Sequence, residues 1–174
     1  LDLESVDVKL PAEASVAYVQ GVGDNSAPVL RQLGIRVTML DPATIPSTSL
    51  RQFSAIVVGP RAYESSEALV ANNAQLLEYV RKGGTMVVQY GQTEMQNAGI
   101  MPYPITLSRP ADRVTDEASP VQITDPASKV LRGPNRITQG DFDGWLQDRS
   151  LYMPRTFDAR YAAPLAMHDP NEPD

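Results

Sequence analysis

Few stretches of this chain carry residues able to do chemistry, and each sets polar groups beside a turn. Gly21-Val22-Gly23-Asp24-Asn25-Ser26 follows an apolar run and precedes a helix-like one, the setting of a dinucleotide-binding loop. Glycines there would let a phosphate approach a helix N-terminus. Asp41, 20 positions after Gly21, stands where an acidic side chain would hold a ribose. Against this, Ser26 replaces the third glycine, and Asp24 would set a negative charge beside a pyrophosphate. The same residues also read as a tight strand-to-helix turn, with Asp41 ending the next strand.

A second constellation is Gly59-Pro60-Arg61-Ala62-Tyr63-Glu64 together with Gln89-Tyr90-Gly91-Gln92. Both follow apolar runs, and open α/β sheets bind ligands outside the carboxyl ends of their strands. Arg61, Tyr63, Gln89 and Tyr90 offer a guanidinium, aromatic faces and an amide suited to a polar ligand such as a sugar. The competing reading pairs Arg61 with Glu64 and packs Tyr63 on a helix. The third constellation is Asp141-Phe142-Asp143-Gly144-Trp145 with Arg149 and Tyr152. It reads as a carbohydrate platform or, less well, a calcium loop, which needs more oxygen ligands and a late glutamate. Otherwise Asp141 or Asp143 caps a short helix and Trp145 enters the core. If the second half folds over the sheet's carboxyl edge, Trp145 and Arg149 join Arg61, Tyr63, Gln89 and Tyr90 around one cleft.

Composition narrows the chemistry further. The chain of 174 residues has no cysteine, so disulfides, cysteine-ligated zinc, iron–sulfur clusters and a thiolate nucleophile are excluded. Its one histidine, His168, leaves little material for a Ser-His-Asp triad or a multi-histidine metal site. No cofactor or metal is expected. A net charge of −6 argues against nucleic acid. No apolar run approaches the roughly 20 residues of a membrane span. The chain starts at Leu1 and ends in an acidic, proline-containing stretch, so it reads as part of a longer polypeptide. A signal peptide in that parent chain would place it in the periplasm or outside the cell; the sequence leaves the compartment open.

The elements that must position these residues alternate. Strands are expected at 15–20, 35–40, 55–59 and 85–90, and helices at 26–33, 47–53 and 67–82. In the last helix, Leu69, Asn73, Leu76, Leu77 and Val80 form one stripe, and Gly83-Gly84 stops it. Strands that are apolar throughout fit a parallel sheet covered on both faces. The expectation is one three-layer α/β domain, mainly parallel and flavodoxin-like. Residues 1–13 are a linker, 14–99 hold the βα repeats, and 100–174 form an irregular, proline-rich half. In that half, strands are expected at 121–124 and 165–167 and helical turns at 127–131 and 143–147.

The runs Val16–Asp24, Leu33–Asp41, Ile56–Tyr63 and Leu77–Tyr90, with Asp141–Trp145, Arg149 and Leu151-Tyr152, resemble a known family. It is the class I glutamine amidotransferase-like domain that follows the catalytic domain in large bacterial PIG-L/LmbE-type deacetylases. More distantly, the chain is similar to ThuA-like domains. The resemblance spans about residues 14–172. It implies a non-catalytic accessory domain of an N-acetyl-sugar deacetylase, in contact with other domains of its own polypeptide or with a glycan. It departs from true amidotransferases in lacking the cysteine elbow and the later His-Glu pair. At Asp125-Pro126-Ala127-Ser128-Lys129, serine and lysine replace the His-Pro of related domains. Two other readings of the residues stand beside it: a nucleotide- or dinucleotide-binding domain using Gly21–Ser26 and Asp41, and a degenerate hydrolase with a carboxylate-based site. Thioester chemistry needs a thiol, so the purified chain should release no more ammonia from glutamine than a boiled control. Release above that control would contradict the reading.

Overall fold

A computed structural model describes residues 8–144, 146 and 150–170. The first half holds a four-stranded parallel sheet in the order β2-β1-β3-β4, from β1 (Ser15–Val19), β2 (Arg36–Met39), β3 (Ala55–Val58) and β4 (Thr85–Val88). Each strand coincides with an apolar run expected as a strand, and all four are adjacent and parallel. The registers set Tyr18 against Val57, and Val57 against Val87, so these three side chains share a face.

Each sheet face has its own core. On one, Ala17, Val19, Ile56 and Val58 pack against Leu69, Leu76 and Tyr79 of α3 (Glu67–Arg81), against Tyr63 of α2 (Ala62–Ser65), and against Ile45 and Phe53 of the crossover. On the other, Val16, Tyr18 and Val57 pack against Ala27 and Leu30 of α1 (Ser26–Gln32). Helices therefore lie on both faces, as continuous apolar strands require. Coverage is unequal: α1 is short, and Val87 on its side of the sheet stays 48% exposed.

The stripe of α3 is rotated slightly from the expected one. Tyr79 rather than Leu77 reaches the core, and its hydroxyl donates to the Phe53 carbonyl at 3.1 Å. Ser66 caps the helix by accepting from the Leu69 amide. Asn73 is 1% exposed yet fully engaged. It accepts from the Tyr63 hydroxyl at 2.6 Å and donates to the Gly99 and Ile100 carbonyls. A buried amide is tolerated only with such partners, and this one ties α2 and α3 to the start of the second half. The helix expected at 47–53 is instead a 3-10 turn over Leu50–Gln52, preceded by another, Pro42–Ser47, that ends where the helix was expected to start.

The second half is built from short antiparallel pairs. β5 (Ile105–Leu107) pairs with β9 (Pro154–Phe157), β6 (Arg113–Val114) with β8 (Ser150–Leu151), and β7 (Gln122–Ile123) with β10 (Leu165–Ala166). The last pair matches the strands expected at 121–124 and 165–167. A 3-10 turn at Lys129–Leu131 lies within the turn expected at 127–131. The turn expected at 143–147 lies partly outside the described residues; Gln139–Phe142 forms a 3-10 turn before it.

Asp169 anchors this half. Its buried carboxylate accepts from the Thr115 amide and hydroxyl, the Asp116 amide and the Ser119 hydroxyl. The Thr115 hydroxyl first, then the Asp116 amide, hold its pKa well below the usual carboxylate range. A depressed folded pKa gives stability that is present above the unfolded value and lost as pH falls through the folded one. Asp169→Asn should therefore lower the melting temperature near neutral pH. The gap to wild type should narrow as pH drops below about 4, because the carboxyl of the unfolded wild-type chain then takes up a proton while that of the folded chain stays ionised. Thermal scans at several pH values check this; a gap that stays constant into acid would refute the role given to the charge.

Candidate functional site

The carboxyl ends of the four parallel strands are not equally open. At β1 and β3 they are sealed. Gly21 and Gly59 touch backbone to backbone: a Cβ on Gly21 would lie 2.4 Å from the Pro60 oxygen, and one on Gly59 2.5 Å from Asp24 Oδ2 and from the Gly21 nitrogen. The Val22 amide donates to the Pro60 carbonyl at 2.8 Å. Gly21 of the first loop thus serves the packing of that loop on the one after β3, while Gly23 provides a positive φ.

Asp24 takes up the polar groups of that loop. Its Oδ1 accepts from the Ser26 amide at 2.8 Å and its Oδ2 from the Gly21 amide at 3.3 Å. Oδ2 also receives a short hydrogen bond from the Tyr18 hydroxyl, whose side chain is wholly buried. Burial, then Asp24, push the Tyr18 phenol up to about 12. Burial works against the ionised form of Asp24, but the hydrogen bonds from Tyr18, Ser26 and Gly21 prevail and lower its pKa. An internal carboxylate therefore occupies the amides that a dinucleotide's phosphate would need. Asp41 is likewise engaged, capping the turn Pro42–Ser47 through the Ala43 amide at 2.9 Å.

The opening lies past β4. A cleft of ≈ 240 Å3 is lined by Gln89, Tyr90 and Gln92 above an apolar floor that includes Val88, Met95, Ile105 and Leu107, with Tyr152 and Pro154 on its far side. The second half does fold toward the sheet's carboxyl edge, bringing β5, β9 and Tyr152 to it. Tyr152 adopts a left-handed backbone at φ 63°, a conformation bulky residues rarely take and one that clusters at ligand sites. Gln89 Oε1 accepts from Tyr18 at 3.2 Å and its Nε2 donates to Ser26 at 3.3 Å, so this wall is fixed. The hydroxyls of Tyr90 and Tyr152 and the side-chain amide of Gln92 make no hydrogen bond among the described residues, while the Gln92 backbone amide donates to Glu94 Oε1 at 2.9 Å. Tyr90 is 44% exposed. No lining residue carries a carboxylate, an imidazole or a cation.

Of the six residues singled out from sequence, Gln89 and Tyr90 line this cleft. Arg61 stands beside it: its amide donates to the Tyr90 carbonyl at 2.7 Å, from a left-handed backbone at φ 55°. Its guanidinium is held in a bidentate pair with Glu64, both contacts 2.7 Å, which is the competing reading of that residue. Tyr63 does not reach the site. It is 5% exposed, with its ring in the core and its hydroxyl on Asn73, because the backbone reversal at Arg61 starts α2 and turns position 63 inward. Trp145 and Arg149 lie outside the described residues. Asp141 accepts from the Thr138 amide and hydroxyl at the head of a 3-10 turn. No group of three or more metal-ligating side chains occurs among the described residues. His168 contacts the Asp169 carbonyl and Gln122. No helix among the described residues is long and apolar enough to cross a membrane.

Tyr152, already noted in the sequence beside the Asp141 motif, and Gln92 belong to the cleft, as does the apolar floor from β5. Only the pairing of β5 with β9 brings that floor in, and three-residue strands leave little periodicity to read. Set against protein-family models, curated proteins and solved structures, the chain matches none. The backbone contact of the first two loops gives a direct test. Gly59→Ala should cost about 1–3 kcal/mol in urea denaturation, the usual range for overpacking, whereas Gly23→Ala meets no neighbour and bears only its positive φ. Equal midpoints for Gly59→Ala and wild type would refute the packing role.

Proposed function

We propose that this chain is a non-catalytic accessory module of a PIG-L/LmbE-type N-acetyl-sugar deacetylase, and that the cleft past β4 holds a glycan for the parent polypeptide. The observation that carries this reading is the lining of the cleft. It joins two tyrosines and a side-chain amide with unused hydrogen-bonding capacity to an apolar floor, with no charged side chain among the lining residues. Such a surface can stack on a pyranose and bond its hydroxyls, and its lining holds neither an imidazole nor the carboxylate pair that glycoside hydrolysis uses. The strand order β2-β1-β3-β4 is that of the first four strands of a flavodoxin-like sheet, which supports the family resemblance. The occupied amides around Asp24 weigh against the nucleotide reading.

Calorimetric titration with N-acetylglucosamine oligomers tests the proposal. Binding should be saturable, and Tyr90→Ala should weaken it about tenfold, equivalent to about 1.4 kcal/mol. The exposed side chain of Tyr90 makes that variant compatible with an intact fold. Arg61→Ala should weaken binding less, since its guanidinium is held by Glu64 beside the cleft. Absence of binding to any oligomer tried, or equal affinity in the Tyr90 variant, would remove the glycan role.

A further inference from the structure

We propose that the outer edge of β4 is an interface for a second copy of this chain, paired β4 to β4 and antiparallel about a two-fold axis perpendicular to the sheet. This inference rests on the backbone edge and not on the glycan reading of the cleft, although Val88 belongs both to that edge and to the cleft floor. The Gln89 amide donates to the Val58 carbonyl of β3 at 3.0 Å. The alternation of a strand then turns the amides and carbonyls of Met86 and Val88 to the opposite side. Among the described residues β4 pairs only with β3, and no backbone group bonds to that outer row.

The two edges of the sheet are treated differently. At β2, the Arg31 guanidinium donates to the Val37 carbonyl at 3.3 Å, and Arg36 pairs with Glu13. Charge on an edge is the usual protection against unwanted pairing. β4 has no such device. From Thr85 to Tyr90 the sequence is TMVVQY, with no charge and no proline, and its pairing with β3 runs in unbroken register.

The occupant follows from self-complementarity. A two-fold axis opposite Val87 sets Met86 of each copy against Val88 of the other, as hydrogen-bonded pairs. The two Val87 residues form the closer, non-hydrogen-bonded pair between them, with Cα atoms about 4.5 Å apart. Both lie on the same sheet face, so each covers the other's side chain, which is 48% exposed in the single chain. For a chain of net charge −6, an uncharged strip is also where two copies can meet without opposing like charges.

Sedimentation equilibrium over a wide concentration range, with amide hydrogen exchange on the same samples, tests this. The expected result is a dimer at high concentration in which the Met86 and Val88 amides exchange more slowly than in dilute monomer. The Gln89 amide, bonded to Val58, should be protected in both. Val87→Lys sets two cations on the axis and should raise the dimer dissociation constant at least tenfold, with its circular dichroism unchanged. A chain monomeric throughout overturns the proposal. Protection of Met86 and Val88 in a monomer also overturns it, since a segment of the same chain would then cover the edge. A dimer in which these two amides exchange freely places the contact elsewhere and overturns it too.

Discussion

The hydrogen bond from Tyr18 to Asp24 is the constraint around which the upper end of the sheet is arranged. A phenol wholly buried on the second strand of the sheet must have an acceptor, or its burial costs as much as a lost hydrogen bond. Asp24 is the acceptor within reach, and an ionised carboxylate has further lone pairs to fill. The Gly21 and Ser26 amides fill them. That draws the loop after β1 down onto the loop after β3, which is why Gly21 and Gly59 must lack side chains. With Tyr18 also donating to Gln89, one buried hydroxyl fixes the ends of three strands.

The second half is held by a different kind of chemistry. It has few buried apolar side chains, Val114, Val121 and Leu131 among them, and its strands are two to four residues long. Short strand pairs are marginal alone, so polar anchors supplement them. Asp169 gathers the 115–119 loop. Arg155 makes a bidentate pair with Asp112. Tyr103 and Tyr161 exchange two hydrogen bonds while their rings meet edge to face at 5.6 Å, with the Arg160 guanidinium over Tyr103. Exposed ion pairs contribute little individually, so the buried carboxylate of Asp169 matters most among them.

This division explains what the sequence made legible. β1 and β3 were readable as parallel strands because burial on both faces writes hydrophobicity into nearly every position, and the more exposed edge strands β2 and β4 from their place in the strand–helix alternation. The turn at Gly21–Ser26 was readable as a turn, but its chemistry was not. Asp24 as a carboxylate opposed to phosphate and Asp24 as an internal stand-in for phosphate look identical in sequence. Only the buried hydroxyl of Tyr18, on the strand that leads into the loop, separates them. Arg61 and Tyr63 were placed together because they are two positions apart in one loop after a strand. The left-handed backbone at Arg61 sends their side chains apart, and nothing in the residue type announces it. Gln89 and Tyr90 were legible because a strand's carboxyl end is a place defined by topology. β5 and β9 were not, since their pairing spans about 50 residues with no local pattern.

β4 is where these threads meet. Because the ends of β1 and β3 are closed by backbone contact, the strand ends left to open into a cleft are those of the edge strands, and the cleft lies at that of β4. An edge strand is bonded on one side alone, so its placement depends on what holds that side. Here it is the register with β3, the Gln89 amide on Val58, and the Gln89 side chain on Tyr18 and Ser26. Gln89 is therefore both the last fixed point of the sheet and the first wall of the cleft. Tyr90, one residue further, is released from that constraint: its carbonyl is tied to the Arg61 amide, but its ring is exposed. A rigid residue followed by a free aromatic is the arrangement a binding surface needs, since the scaffold fixes the position and the ring supplies contact area at little conformational cost.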